Sequence, residues 1–236
     1  MIMAVTDTAV EKRPFGLARL ERETLHDRAY QEVKKAIMAG AILPGAPMTI
    51  RALAKALGTS VMPVREALRR LVAERALELL PNRSVSLPVM TAEKFDEICR
   101  IRLALEGLMA ETAAQQITAE ELRRMTKLNE EMTQGKNLGP KRYLAKNQEF
   151  HFQLYQAAQM PQAMSIVEAL WMQIGPFLNH VVSDIVSQSN FEHHAAALKA
   201  LQEQNGPAAR RAIESDISEA ARTILAQLKK QAATAA

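Results

Sequence analysis

The sequence predicts a mainly α-helical protein that is built from two domains and preceded by an N-terminal arm. Apolar residues recur at helical spacing along most of the 236 residues, and the alternation typical of a β-hairpin is confined to residues 77–89. After that hairpin the pattern is helical and contains no strand signal. We therefore expect a first domain over residues 24–89 and an all-α helical-bundle domain over residues 90–236. Residues 1–23 are polar and aperiodic, and we expect them to form a flexible arm.

The excess of positive charge lies in the first third of the chain. Residues 1–90 contain 14 Lys/Arg and 9 Asp/Glu, whereas residues 91–236 contain 16 and 17. This distribution indicates an anionic partner for the first domain. Residues 31–94 contain no Phe, Trp or Tyr on which unpaired bases could stack, which favours double-stranded DNA over RNA.

Cysteine usage and hydropathy exclude several classes of protein. The single cysteine, Cys99, excludes an intrachain disulfide framework and a Cys-rich zinc module, and it favours a reducing compartment. No apolar stretch approaches the ~18 residues of a membrane span, and the first residues lack the apolar segment of a signal peptide. We expect a cytoplasmic protein that is not attached to a membrane.

Three short helices and a hairpin are predicted in the first domain. The first helix begins at Thr24 and stops at Gly40. Thr49 is a good N-cap for the second helix, and Ser60 can cap the third, which spans roughly residues 61–74. A helix pair that is joined by a short turn and followed by a hairpin is a winged helix-turn-helix.

The third helix is the predicted recognition helix, because the second helix of such a pair lies in the major groove of DNA. Its apolar side chains face inward, so the polar and long side chains face outward: Met62, Arg65, Arg69 and Arg70. The planar guanidinium group of arginine can donate hydrogen bonds to O6 and N7 of guanine at the same time. Arg51 at the start of the second helix and Arg83 at the hairpin tip are placed to hold phosphates on either side. The alternative is that this charged helix face is merely solvated.

Six helices are predicted in the second domain. Prolines, glycines and polar stretches separate them. The predicted helices span about residues 91–116, 118–134, 140–159, 161–187, 191–204 and 206–232.

A specific motif, SVMPVREAL at Ser60–Leu68, occupies the turn and the recognition helix. With this motif the first domain resembles the DNA-binding domain of the GntR family of bacterial transcription regulators. The resemblance implies DNA contacts at Arg51, Ser60, Arg65 and the hairpin tip at Asn82–Ser84. The family usually has an arginine at the position of Val61 and glycines at the positions of Arg75 and Ser84. We therefore expect an operator that differs from the common one of the family.

The second domain carries motifs of its own, RLALE at Arg102–Glu106 and FHFQL at Phe150–Leu154. With these motifs and six helices it resembles the effector domain of the FCD subgroup of that family, in its smaller, VanR-like version. The resemblance implies an inward-pointing set of metal ligands: Asn147, His151, His194 and Asp216. Asn147 replaces the usual Asp, and Asp216 replaces the usual last His.

The implied ligands can bind Zn²⁺, Ni²⁺ or Mn²⁺ through two imidazoles, an amide oxygen and a carboxylate. The alternative is that His151 and His194 are hydrogen-bonded interior residues. Arg102 has two interpretations as well. The resemblance places it in the effector cavity, where it would pair with a small carboxylate, whereas its spacing allows an ion pair with Glu106 on the same helix.

The expected function is that of a ligand-responsive transcription regulator, a repressor that binds a palindromic operator as a homodimer. Two half-sites are expected because one recognition helix buries too little surface for tight specific binding. An enzyme is not expected, since the chain has no phosphate-binding glycine loop, no zincin motif and no serine elbow. The alternative is an effector-independent, architectural DNA-binding protein.

Overall fold

The computed structural model describes residues 24–40, 42, 47–134, 139–188 and 192–235. Within them the chain forms nine α-helices and one two-stranded antiparallel sheet, which confirms the mainly α fold. The elements are α1 (Leu25–Met38), α2 (Ile50–Ala56), α3 (Val61–Ala73), β1 (Glu78–Leu79), β2 (Val85–Ser86), α4 (Ala92–Ala113), α5 (Ala119–Gln134), α6 (Pro140–Ala157), α7 (Pro161–Gln188), α8 (Glu192–Gln202) and α9 (Gly206–Ala235). Helices α4 to α9 are the six predicted after the hairpin. The predicted arm, residues 1–23, lies outside the described residues.

None of the helices in the described ranges is both long and apolar enough to cross a lipid bilayer.

Threonine side chains begin the first two helices as predicted. Thr24 forms a reciprocal capping box with Asp27, and the Thr49 hydroxyl accepts a hydrogen bond from the backbone N–H of Ala52 at 3.1 Å. Ser60 is at the N-cap position of α3, but its side chain makes no capping hydrogen bond. The expected capping bond at Ser60 is therefore absent, and its exposed hydroxyl is available to another partner.

The hairpin pairs Glu78 with Ser86 and Leu79 with Val85. Two of its non-glycine residues have left-handed backbone, Arg75 at φ 59° before the first strand and Arg83 at φ 62° at the tip. This conformation explains why glycine suits the position of Arg75. At the tip the left-handed residue is Arg83 rather than Ser84.

The two parts of the chain each have an apolar core. In the first part α1, α3 and β2 pack together around the fully buried side chains of Ile37, Val64 and Leu71. In the second part α4 packs closely on α9, where a Cβ at Gly206 would lie 2.8 Å from the backbone oxygen of Glu111.

Helix α7 joins the two cores. Its Met172 is 1% exposed and belongs to the core of the first part. Its Glu168 pairs with Lys34 of α1 at 2.8 Å, and a Cβ at Gly175 would lie 3.2 Å from the backbone oxygen of Met38. The helix that precedes the helix-turn-helix therefore rests directly on the helical bundle.

Candidate nucleic-acid interface and metal centre

The outward face of α3 is as the sequence predicts. Met62, Arg65 and Arg69 are exposed, while Val64 and Leu68 on the opposite face are buried. The Arg65 guanidinium contacts only the Met62 sulfur, at 3.8 Å, and pairs with no carboxylate in the described part of the chain. Arg65 is therefore free to meet an anionic or hydrogen-bonding partner from outside.

Two other arginines of α3 are already paired. Arg69 forms an exposed ion pair with Glu66 at 2.9 Å. The Arg70 guanidinium lies 3.8 Å from the centroid of the Tyr30 ring and donates a hydrogen bond to Glu74. The Glu74 carboxylate also accepts a hydrogen bond from the Tyr30 hydroxyl. Arg70 thus ties α3 to α1, and this role is structural.

The remaining predicted DNA-contact residues lie before and after the recognition helix in the sequence. Arg51 lies in the first turn of α2, Ser60 precedes α3, and Asn82 and Arg83 form the hairpin tip; all are exposed. The Asn82 side chain accepts hydrogen bonds from the backbone N–H and the hydroxyl of Ser84, at 3.0 and 2.6 Å. These bonds hold the tip so that Arg83 projects, whereas Ser84 itself is buried.

Three of the four predicted metal ligands come together inside the bundle. His151 of α6, His194 of α8 and Asp216 of α9 offer ligand atoms that all lie within 4.8 Å of one another. His151 Nε2 lies 3.1 Å from Asp216 Oδ2, and His194 Nε2 lies 3.5 Å from Asp216 Oδ1. Asn147 lies one helical turn before His151 and lines a small cavity between α1, α6 and α7.

The chemistry of this donor set fits a divalent cation. A tetrahedral ion with bonds of about 2.0–2.1 Å separates neighbouring ligand atoms by about 3.3 Å, close to both observed separations. Both ring nitrogens of His194 are buried and have no hydrogen-bond partner among the described residues. A buried imidazole without partners is costly, and a metal would satisfy one of its nitrogens.

The electrostatics of the cluster keep these groups in metal-binding form. Burial lowers the pKa of His194 to about 4, despite the nearby charge of Asp216, so its ring is neutral. Burial opposes ionisation of Asp216, but the hydrogen bond from His151 and the neighbouring histidines hold the pKa of that carboxyl well below its usual range. A neutral imidazole beside a carboxylate is what a cation requires.

The two histidine rings are oriented in different ways. The His194 ring stacks on Phe150, with centroids 4.3 Å apart and planes 27° apart. His151 instead makes a hydrogen bond through Nδ1 to the Tyr155 hydroxyl at 3.0 Å. That hydroxyl donates to Glu106 at 2.5 Å, so the cluster continues into the interior of the bundle.

Glu106 is the centre of a buried hydrogen-bond network. Its carboxylate accepts from Arg102 Nε at 2.6 Å, Arg102 Nη2 at 3.2 Å, Trp171 Nε1 at 3.1 Å and the Tyr155 hydroxyl. Glu106 is fully buried and Arg102 is 7% exposed. The ion pair that the sequence offered as one interpretation of Arg102 is therefore confirmed. Burial and the charge of Glu106 raise the pKa of Tyr155 well above its usual value, so the phenol keeps its proton.

Sequence reasoning did not assign Tyr155 or Trp171 to this network. A signal existed for Tyr155, because it follows His151 by four residues and so shares its helix face. None existed for Trp171, which reaches Glu106 from a position 65 residues further along the chain.

Comparison with known proteins decides the family. The profile described as "Bacterial regulatory proteins, gntR family" matches residues 25–87, and the profile of the FCD domain matches residues 97–219. The chain belongs to the GntR family. This GntR regulator carries an FCD domain in its second part, as the sequence motifs predict. The assignment of that domain to the smaller, VanR-like type stays a prediction.

Similar proteins are transcription regulators. The HTH-type transcriptional regulator McbR of Escherichia coli K12 is 31% identical over 193 residues, which cover 78% of this chain and 87% of McbR. A protein of Paenarthrobacter nicotinovorans named "Probable D-xylose utilization operon transcriptional repressor" is 30% identical over 187 residues, 78% of this chain and 81% of that protein. The solved structure of E. coli McbR/YncC has a TM-score of 0.78 at 28% identity and covers 89% of this chain and 99% of that one. These matches confirm that the protein is a transcription regulator and not an enzyme.

Proposed function

We propose that this GntR regulator is a ligand-responsive repressor that binds a palindromic operator in double-stranded DNA as a homodimer in the cytoplasm. The observation that carries the DNA-binding part is the exposed guanidinium of Arg65 on a basic recognition helix, which pairs with no carboxylate among the described residues. Arg51 and Arg83, which also pair with no carboxylate in the described ranges, would hold phosphates on either side. Arg69 would have to break its ion pair with Glu66 before it could contact DNA, so it would contribute less to DNA affinity than Arg65.

The dimer contact is proposed on α4. Ile101, Ala104 and Leu108 are exposed and follow one another at intervals of three and four residues, which forms an apolar stripe along one helix face. A second copy of the chain, related by a two-fold axis, would cover this stripe and place two recognition helices for two half-sites.

The metal centre is proposed at His151, His194 and Asp216, with Asn147 as the fourth ligand and Zn²⁺, Ni²⁺ or Mn²⁺ as the ion. The unsatisfied nitrogens of His194 support this proposal. The ion would neutralise the Asp216 charge and supply a Lewis-acidic position to which a carboxylate can bind.

The effector is proposed to be a small organic acid. An ion held by His151, His194 and Asp216 would be the primary anchor for its carboxylate, because the guanidinium of Arg102 is already paired with Glu106. Arg102 would bind the carboxylate of the effector only if it gave up its ion pair with Glu106.

Helix α7 supports the coupling between this site and the DNA. Its Trp171 donates to Glu106 beside the metal centre, and its Glu168, one turn earlier, pairs with Lys34 of α1. Since α1 packs on α3, a shift of α7 would move the recognition helix. The ligand must bind the two arrangements with different affinity for such a shift to occur.

One experiment tests the repressor and its ligand response together. An operator is selected from a random duplex pool with the metal-loaded protein, and its affinity is measured by fluorescence anisotropy with and without a panel of small organic acids. We expect specific binding that at least one acid changes tenfold or more. Specific binding that no acid alters would favour the effector-independent DNA-binding protein, and binding with no sequence preference would refute both.

A further inference from the structure

The hydrogen bonds behind His151 form a directed relay. The Tyr155 hydroxyl has one hydrogen, and the 2.5 Å contact to the Glu106 carboxylate uses it. Towards His151 the phenol oxygen can therefore only accept, so His151 Nδ1 must carry the proton of the 3.0 Å contact. With Nδ1 carrying this proton, the nitrogen left to ligate a metal is Nε2, which faces Asp216.

The direction of the relay is set by the groups around Glu106. Arg102 donates twice to this carboxylate and Trp171 donates once, so Glu106 is surrounded by donors and has no proton to offer. The Tyr155 hydroxyl donates to this carboxylate and so cannot donate to His151 at the same time. Because the network is buried, water does not compete for these bonds.

We propose that Tyr155 and Glu106 are positioning residues of the metal centre, which together fix His151 in the Nδ1–H tautomer and aim its Nε2 at the ion. This inference rests on the proposed metal centre and extends it, because it assigns a role to two residues that hold no metal. The His194 ring nitrogens have no hydrogen-bond partner among the described residues, and the ring stacks on Phe150. His151 is therefore the preorganised ligand, and His194 is the adaptable one.

The first test is the variant Tyr155→Phe, which removes the hydroxyl and keeps the ring. Zn²⁺ affinity is measured by competition with a chromophoric chelator on the full-length protein. We expect the variant to bind Zn²⁺ about 10- to 100-fold more weakly, the usual effect of losing a hydrogen bond behind a metal-bound histidine.

The matched control is Tyr30→Phe, which removes a tyrosine–glutamate hydrogen bond of 2.8 Å in the first part of the chain. It loses a similar bond far from the ligands, so its Zn²⁺ affinity should equal that of the wild type. A Tyr155→Phe protein that binds Zn²⁺ within about twofold of the wild type would overturn the proposed roles of Tyr155 and Glu106 while leaving the metal centre intact. A wild-type protein that binds none of Zn²⁺, Ni²⁺ and Mn²⁺ would overturn the metal centre itself and the relay with it.

A second measurement needs no variant. In the Zn²⁺-loaded wild-type protein, ¹⁵N NMR of labelled histidine should show the proton of His151 on Nδ1 and the coordination shift on Nε2. Coordination of His151 through Nδ1 would overturn the relay, because Tyr155 then could not accept from that nitrogen.

Discussion

Replacement of Arg65 by alanine tests the DNA interface most directly. The Arg65 side chain is exposed and makes no ion pair with any described residue, so its removal should leave the free energy of unfolding within about 0.5 kcal/mol of the wild type. The substitution should therefore lower the affinity for DNA without destabilising the fold.

The expected loss follows from the chemistry of the contact. A bidentate arginine–guanine pair contributes about 1–3 kcal/mol of discrimination, and a homodimer on a palindrome makes this contact twice. The variant should therefore lose about 2–6 kcal/mol, which corresponds to a decrease in operator affinity between about 30-fold and about 10⁴-fold.

The assay is fluorescence anisotropy with the selected operator and, separately, with duplex DNA of unrelated sequence at the same salt concentration. Arg65→Ala should reduce operator affinity much more than affinity for the unrelated duplex, because a base contact carries sequence information. Arg83→Ala is the matched control, since loss of a phosphate contact should weaken binding to both duplexes alike. Operator affinity that stays at the wild-type level in Arg65→Ala, or that falls equally on both duplexes, would refute the placement of Arg65 in the major groove.

Three further predictions concern the second part of the chain. His151→Ala combined with His194→Ala should leave the purified protein without bound metal in elemental analysis, because only one ligand of the described cluster remains. Leu108→Glu should convert the dimer to a monomer in light scattering, since the two-fold axis would bring two carboxylates into an apolar contact. Gly206→Ala should lower the free energy of unfolding by about 1–3 kcal/mol, measured by urea denaturation, because its Cβ would meet backbone atoms of α4 at 2.8 Å.

Each of these variants has a matched control in the same chain. His193→Ala removes a histidine that pairs with Glu219 outside the metal cluster, and it should keep the metal. Ile166→Glu changes another exposed apolar residue, on α7 rather than α4, and should remain dimeric. In Gly139→Ala the new Cβ would have no atom of the described residues within 4 Å, and this variant should keep the wild-type free energy of unfolding. Metal retained by the double histidine variant, a dimeric Leu108→Glu or an unchanged Gly206→Ala would contradict the corresponding prediction.

The helices could be predicted from the sequence because their causes are local. Thr24 and Thr49 cap helices through atoms three residues away, and the buried face of α3 follows from apolar residues at helical spacing. The outward direction of Arg65 is a consequence of the same periodicity. The absence of a capping bond at Ser60 could not be predicted, because a hydroxyl at an N-cap has more than one rotamer.

The metal cluster was predictable in part. The resemblance to the FCD domain implied His151, His194 and Asp216, and the fold brings these residues together from three helices. The participation of Asn147 stays a prediction. Nothing local indicated the contact between Tyr155 and Glu106, which are 49 residues apart and meet only because α4 packs against α6.

For Arg102, the sequence pattern determined the helix face on which it lies, and tertiary packing determined its partner. Residue spacing placed Arg102 and Glu106 on one helix face and left the arginine with two interpretations, an ion pair or an effector contact. Packing selected the ion pair, because the Trp171 N–H and the Tyr155 O–H converge on the Glu106 carboxylate and bury it beside Arg102 inside the bundle. Hydrogen bonds within a helix depend on neighbours in sequence, whereas the donors that surround a buried charge come from elements that meet only in the folded chain.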